Sequence, residues 1–243
     1  MESKELFDVV DEKGQPTGEI VSREEAHKNG IRHRTAHVWI VRKRGDEIQV
    51  LLQKRSENKD SHPGCYDISS AGHIPAGTDY VVSALRELRE ELGVNAKPDN
   101  LRYCGQMAFQ YEGEFHGQTF KDNQVSNIYL MWLNKPESEF VLQEDEVSEV
   151  HWFNLNECIR KVKKNRLPNC IHIEELELVR SMADRRTSSG IQYMLVSLLA
   201  GVGVGLIYGL FSGKLVSGLV FGFVIGTIMG LVVTIEAGKA GRR

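Results

Sequence analysis

Gly72-His73-Ile74-Pro75-Ala76-Gly77-Thr78-Asp79, followed by Arg86-Glu87-Leu88-Arg89-Glu90-Glu91-Leu92-Gly93-Val94, is the stretch that decides the fold. Its second half has helical periodicity. Ala84, Leu85, Leu88 and Leu92 recur at helix spacing and form an apolar stripe. Glu87, Glu90 and Glu91 stand at i, i+3 and i+4, so they stack on one face. Three like charges there repel, and a hard divalent cation held by their oxygens would relieve the repulsion. Thr78 is expected to cap the helix, with Asp79 favoured by the positive end of its dipole. Gly93 is placed to end it. The pattern therefore predicts a loop, a capped helix and an acidic face close to the loop.

The spacing resembles the Nudix box, G-x5-E-x7-R-E-U-x-E-E-x-G-U with U apolar. Gly72, Arg86, Glu87, Leu88, Glu90, Glu91, Gly93 and Val94 match it. Thr78 departs, standing where the pattern has Glu. That Glu usually pairs with the motif Arg, so the departure bears on the partner of Arg86, for which Asp79 is a substitute. Gly72, Thr78, Arg86 and Gly93 are assigned to structure. The resemblance implies Mg²⁺, or Mn²⁺, held by Glu87, Glu90 and Glu91, with Glu90 or Glu91 as the base.

Composition sets the surroundings. The 243 residues suffice for one substantial domain and an appendage. Met1–Glu5 is charged and lacks an apolar run, so no secretory signal is expected there. Cys65, Cys104, Cys158 and Cys170 form no C-x-x-C pair and are read as reduced thiols, Cys65 as a buried one. Residues 187–243 carry Lys214, Lys239, Arg242 and Arg243 against Glu236, a net of +3; the whole chain is −3, which leaves −6 on residues 1–186. An acidic domain excludes nucleic acid as a default partner and suits an anionic small molecule met through a metal.

Strands are expected at Phe7–Val10, Ala36–Val41, Ile48–Gln53, Leu101–Phe109, Val125–Leu133 and Val147–Phe153. Helices are expected at Ser22–His27, Asn154–Lys163 and Glu174–Met182. The polar run Gln110–Asn123 reads as a hairpin tip. The fold class is α/β: a mixed sheet between helices, followed by a C-terminal transmembrane hairpin.

His27, His33-Arg34, His37-Val38-Trp39-Ile40, Leu51-Leu52-Gln53-Lys54-Arg55-Ser56 and Asp67-Ile68-Ser69-Ser70-Ala71-Gly72-His73 narrow the resemblance. They are similar to the Nudix branch of type 1 isopentenyl-diphosphate isomerase. That likeness implies a metal held by His27, His33 and His73 with helix glutamates, and a diphosphate contacted by Arg55 and Lys59. His73 is the foremost histidine ligand, and His37 reads as structural. The isomerases also need a Cys directly before the Gly-His pair, where this chain has Ala71. Allylic isomerisation needs a proton donor and an acceptor. The reading is therefore hydrolysis of a nucleoside or prenyl diphosphate, with isomerase as the alternative. A non-catalytic ligand-binding module is the third class.

The tail changes character. Thr187–Gly213 is 27 residues without a charge and Leu215–Ile235 another 21. A membrane span needs about 20. Glycines recur at 201, 205, 209 and 213, then at 218, 222, 226 and 230. Such ridges let helix backbones approach closely, within a chain or between copies. Arg180, Arg185 and Arg186 precede the first span, and Lys239, Arg242 and Arg243 follow the second. By the positive-inside rule the catalytic domain and C-terminus are cytosolic. The expected organisation is a Nudix-type domain over 1–170, a helical linker over 171–190, a two-span hairpin over 191–236 and a basic tail over 237–243.

Overall fold

In the computed structural model, residues 5–59, 61–115 and 117–240 are described, with only the backbone for 185–193 and 234–240. Two compact units divide the chain, Met1–Arg180 and Ser181–Arg243.

The first unit opens with a two-stranded antiparallel sheet, β1 (Leu6–Val10) and β2 (Pro16–Ser22). α1 (Arg23–Asn29) follows, capped by the Ser22 hydroxyl, which accepts from Glu25 N. Gly30 ends it at φ 67, a left-handed turn that favours glycine. β3 (His33–Arg44) and β4 (Glu47–Arg55) form a hairpin, then come β5 (Tyr66–Asp67) and β6 (Ser70–His73). α2 spans Tyr80–Leu92, β7 Arg102–Phe115, β8 Gln118–Trp132, β9 Val147–Asn154 and α3 Leu155–Lys163. The main sheet runs β5-β4-β3-β8-β7, with β6 added to β3 and β9 to β4. Only β3 and β8 run parallel within it, so the sheet is mixed, as expected.

β3 is the central element. Val38 and Ile40 face one way, into a core with Leu51, Ala84, Leu88 and Leu92. His33, Thr35 and His37 alternate to the other face. The apolar stripe of α2 thus packs on the sheet and leaves its acidic edge beside the loop.

Three local readings are corrected. Asp79, not Thr78, caps α2: its Oδ1 accepts from Val81 N at 2.7 Å. Thr78 instead closes a turn, its N–H bonding Pro75 O at 3.0 Å. Polar Gln110–Asn123 is mostly strand, because β7 runs to Phe115 and β8 starts at Gln118. The expected hairpin is present, with Glu112, Glu114 and Gln118 exposed and Asp122 turned inward to a cavity. Cys65 is half-buried rather than buried, and all four cysteines are free thiols.

α4 (Ile173–Ser212) and α5 (Leu215–Ala240) complete the chain. The first turns of α4 belong to the first unit, where Glu175, Leu176 and Val179 are buried. In the second unit, Met194–Ser212 and Leu215–Val233 are each 19 residues long and apolar enough to cross a membrane. Gly213 turns the chain at φ 68 between them. The two glycine ridges meet within the chain. A Cβ on Gly222 would run into the backbone of Gly201 and Gly205, and one on Gly218 into Gly205 and Gly209. Side chains of Arg185, Arg186 and Lys239, and all of Arg242 and Arg243, lie outside the described residues.

Candidate active site

Glu87, Glu90 and Glu91 of α2, His27 and His73, and Ala71 and Gly72 of β6 line one cavity of about 530 Å³. That volume suits a small-molecule substrate. β6 brings Ala71, Gly72 and His73 alongside β3, with His37 opposite Ala71 and Thr35 opposite His73. A Cβ on Gly72 would fall on the Glu87 carboxylate, so only glycine admits that side chain.

The three glutamates do not stand alike. Glu91 is buried, and its Oε2 accepts from Ala71 N at 3.3 Å. Burial, then repulsion from Glu87, pushes its carboxyl up to about 8. Burial pushes Glu87 up to about 7, with Arg86 opposing and Glu90 adding to the rise. Glu90 is exposed and bonded to Arg86 at 3.0 Å. A divalent cation fits here: the buried Glu91 carboxyl faces the charge of half-buried Glu87, and hard oxygen donors suit Mg²⁺ or Mn²⁺.

Arg86 finds its partners on its own helix and the loop. Its guanidinium donates to Glu87 Oε1 at 2.5 Å, to Glu90 and to His73 O at 3.3 Å. Asp79, expected to substitute for the missing motif Glu, is instead the helix cap.

His27, His33 and His73 come together, each offering one ring nitrogen within 4.8 Å of the others. Phe7 stacks on His33 and His73 at 5.0 and 4.7 Å, and Phe120 stacks on His27 at 4.5 Å. Burial holds the His27 ring neutral, its pKa lowered to about 3, and lowers those of His33 and His73. The carboxylate beside them is one the sequence reading passed over. Asp122 Oδ1 of β8 lies 3.5 Å from His33 Nε2 and 3.9 Å from His27 Nε2. These three atoms are buried without hydrogen-bond partners. Orphaned polar atoms of that kind call for an occupant. Neutral imidazoles and a carboxylate suit a borderline ion such as Zn²⁺ or Mn²⁺.

Arg55 lines the cavity but is already engaged, with Asp67 at 3.0 Å and Ser61 O at 2.9 Å. Lys59 also lines it and is paired with Glu146. His37 is buried, as a structural residue would be, yet it faces the cavity.

Comparison with known proteins adds to this geometry. A model of the NUDIX domain matches residues 31–171, more than half of the chain. The chain belongs to the Nudix family. Nudix hydrolase 3 of Arabidopsis thaliana is 41% identical over 152 residues, which is 62% of this chain but 19% of the Arabidopsis protein. An uncharacterized Nudix hydrolase of Clostridium acetobutylicum, CA_C0446, is 37% identical over 158 residues, 65% of this chain and 73% of that one. The Nudix hydrolase YfcD of Escherichia coli K12 is 32% identical over 155 residues, covering 64% and 77% respectively. The crystal structure of DR0079 from Deinococcus radiodurans superposes with a TM-score of 0.52 at 18% identity, over 73% of this chain and 98% of that one. It shares the Nudix fold. In Nudix terms α2 is the box helix, and the cavity lies over its acidic face.

Proposed function

We propose that this Nudix protein is a divalent-metal-dependent hydrolase that cleaves a diphosphate linkage of a small molecule and is tethered to a membrane by its C-terminal hairpin. The observation that carries the reading is the pair of carboxyls on the cavity wall, Glu91 buried and Glu87 half-buried, with Gly72 making room for Glu87. Such a pair is costly without a cation and serviceable with one.

Glu87, Glu91 and the more exposed Glu90 would hold Mg²⁺ or Mn²⁺. The ion would offset diphosphate charge and lower the pKa of bound water. Glu90 or Glu91 serves as the base: its carboxylate takes a proton from the attacking water. Arg86 orients Glu87 and Glu90 through its two bonds. Lys59 and Arg55 set positive charge on the cavity wall for the anionic substrate. His27, His33 and His73, with Asp122, form a second metal position.

We read the sequence resemblance to the isomerase branch as support for that histidine site, and not for isomerase chemistry. Ala71 offers no proton. Full-length protein incubated with isopentenyl diphosphate should yield no dimethylallyl diphosphate by NMR. Incubated with a panel of diphosphates and Mg²⁺, it should release a cleaved phosphate product, and failure on every member would overturn the hydrolase reading.

Met194–Ser212 and Leu215–Val233 support the tether. Both are free of charged residues, and Phe211 is 90% exposed. Lipid would cover such faces. The glycine ridges close the hairpin, and the proposed topology keeps both outer ends in the cytosol.

A further inference from the structure

α3 ends in a run of one sign. Arg160-Lys161-Val162-Lys163-Lys164-Asn165-Arg166 holds five cations in seven residues and no acid. Counting Glu157, the stretch 157–166 carries +4, so the rest of residues 1–186, whose total is −6, carries −10. α3 buries Leu155, Cys158, Ile159 and Val162, which turns Arg160, Lys163 and Lys164 outward at i, i+3 and i+4. Asn165 takes a left-handed turn at φ 48, and Arg166 N bonds Lys161 O at 2.9 Å. That turn keeps Arg166, also exposed, beside the helix end.

Most surface cations of this unit are matched by an acid. Arg23 pairs with Glu5, Lys54 with Glu149 and Lys121 with Glu112. In the basic run, Lys161 pairs with Glu157 and Lys163 with Glu177. Among the described residues, the side chains of Arg160, Lys164 and Arg166 form no hydrogen bond or ion pair. The negative end of the α3 dipole accounts for a cation in the last turn, but not for Arg166 beyond it. The bond from Lys163 to Glu177 ties the run to the first turns of α4, the helix that also contains Met194–Ser212. A compact positive patch on an otherwise acidic body matches a polyanion. For a chain anchored through α4, the polyanion at hand is a leaflet of acidic lipids.

We propose that Arg160, Lys164 and Arg166 form a docking surface for anionic lipid headgroups, which holds the catalytic unit against the membrane. The inference rests on the tether reading above for bringing the surface to the lipid, and the test separates the two.

The test uses the full chain reconstituted in nanodiscs and acetylated briefly with an N-hydroxysuccinimide ester, each lysine being followed by mass spectrometry. In discs of about one-third phosphatidylserine, Lys164 should react about threefold or more slowly than in pure phosphatidylcholine. Exposed Lys43, on the β3–β4 hairpin, should react equally in both. Salt at about 0.5 M should abolish the protection, because it screens exposed charges. Arg160→Gln with Arg166→Gln should lose most of it, and the wild-type and salt arms decide if that variant does not fold. Equal Lys164 rates in the two discs, or protection indifferent to salt, would overturn the surface. So would protection by inorganic phosphate or a short RNA in neutral discs with none from phosphatidylserine. A chain recovered free of the discs, with Lys164 still protected by the anionic ones, would overturn the tether and leave the surface standing. A free chain with Lys164 unprotected would overturn both.

Discussion

Gly72 and Glu87 are fitted to each other: a side chain on the first would occupy the place of the second's carboxylate. The loop glycine therefore sets the position of a proposed metal ligand 15 residues later in the chain. Gly72→Ala should displace Glu87 and cut metal-dependent turnover by about tenfold or more, as misplacement of a unit in a working site does. Steady-state kinetics at saturating Mg²⁺ checks this, and an unaffected kcat would contradict it.

The caps of α2 separate two neighbouring residues. Asp79→Ala should cost about 1 kcal/mol of stability, because it removes the bond to Val81 N. Thr78→Ala should cost clearly less, since its side chain is not the cap. Paired thermal melts decide between them.

The metal-free protein should lose stability as pH rises from about 7 to about 8. Glu87 and Glu91 have folded pKa values of about 7 and about 8, above the ordinary 4.5. The folded state therefore holds more protons than the unfolded one between those limits. Its extra stability is present below pH about 4.5 and is lost as pH climbs to about 8. Mg²⁺ should flatten this slope, because the cation takes the place of the protons. Melting in EDTA and in Mg²⁺ from pH 7 to 8 tests the sign, because below about 6.5 the buried histidines, with lowered pKa values, contribute the opposite slope. A rise in stability with pH in EDTA would contradict it.

The helix α2 was legible because everything that specifies it is local: the apolar spacing, a cap within two residues and a stopping glycine. The central strands were legible from apolar runs such as Val38–Val41. What escaped was assembled over distance. Asp122 lies in a polar run that reads as a loop, and only β7–β8 pairing carries it to His27 and His33. Glu175 reads as one more charge on a helix until the fold brings it to His37, 138 residues earlier in the chain. The Arg86 partners were misread for the opposite reason. A motif pattern supplied an expectation that the loop, with Asp79 at the cap, did not follow.

The histidine site should hold a transition metal independently of the glutamates. Protein loaded with Zn²⁺ or Mn²⁺ and desalted should keep about one ion, and His33→Asn with Asp122→Asn should lose it. Glu91→Gln should retain it. Elemental analysis of the three proteins is sufficient, and retention by the double variant would refute the site.

The hairpin should insert even when its packing is spoiled. Gly222→Leu with Gly226→Leu would force side chains into the backbone of Gly201, Gly205 and Leu198. Intramolecular helix contact should be lost while membrane fractionation stays unchanged. Single cysteines at Ser212 and Gly241, in a background lacking the native four, should label from opposite sides in intact cells. Labelling of Gly241 from outside, or release of the protein by salt alone, would contradict the tether.

The central claim is that α2 is a metal-dependent catalytic helix. It is tested most directly by turnover of a diphosphate panel by full-length wild type and Glu91→Gln, with and without Mg²⁺. The account predicts cleavage of at least one member by wild type only with the metal, and a loss of about 10²-fold in the variant. Cleavage that persists in EDTA, or a variant as fast as wild type, would contradict it.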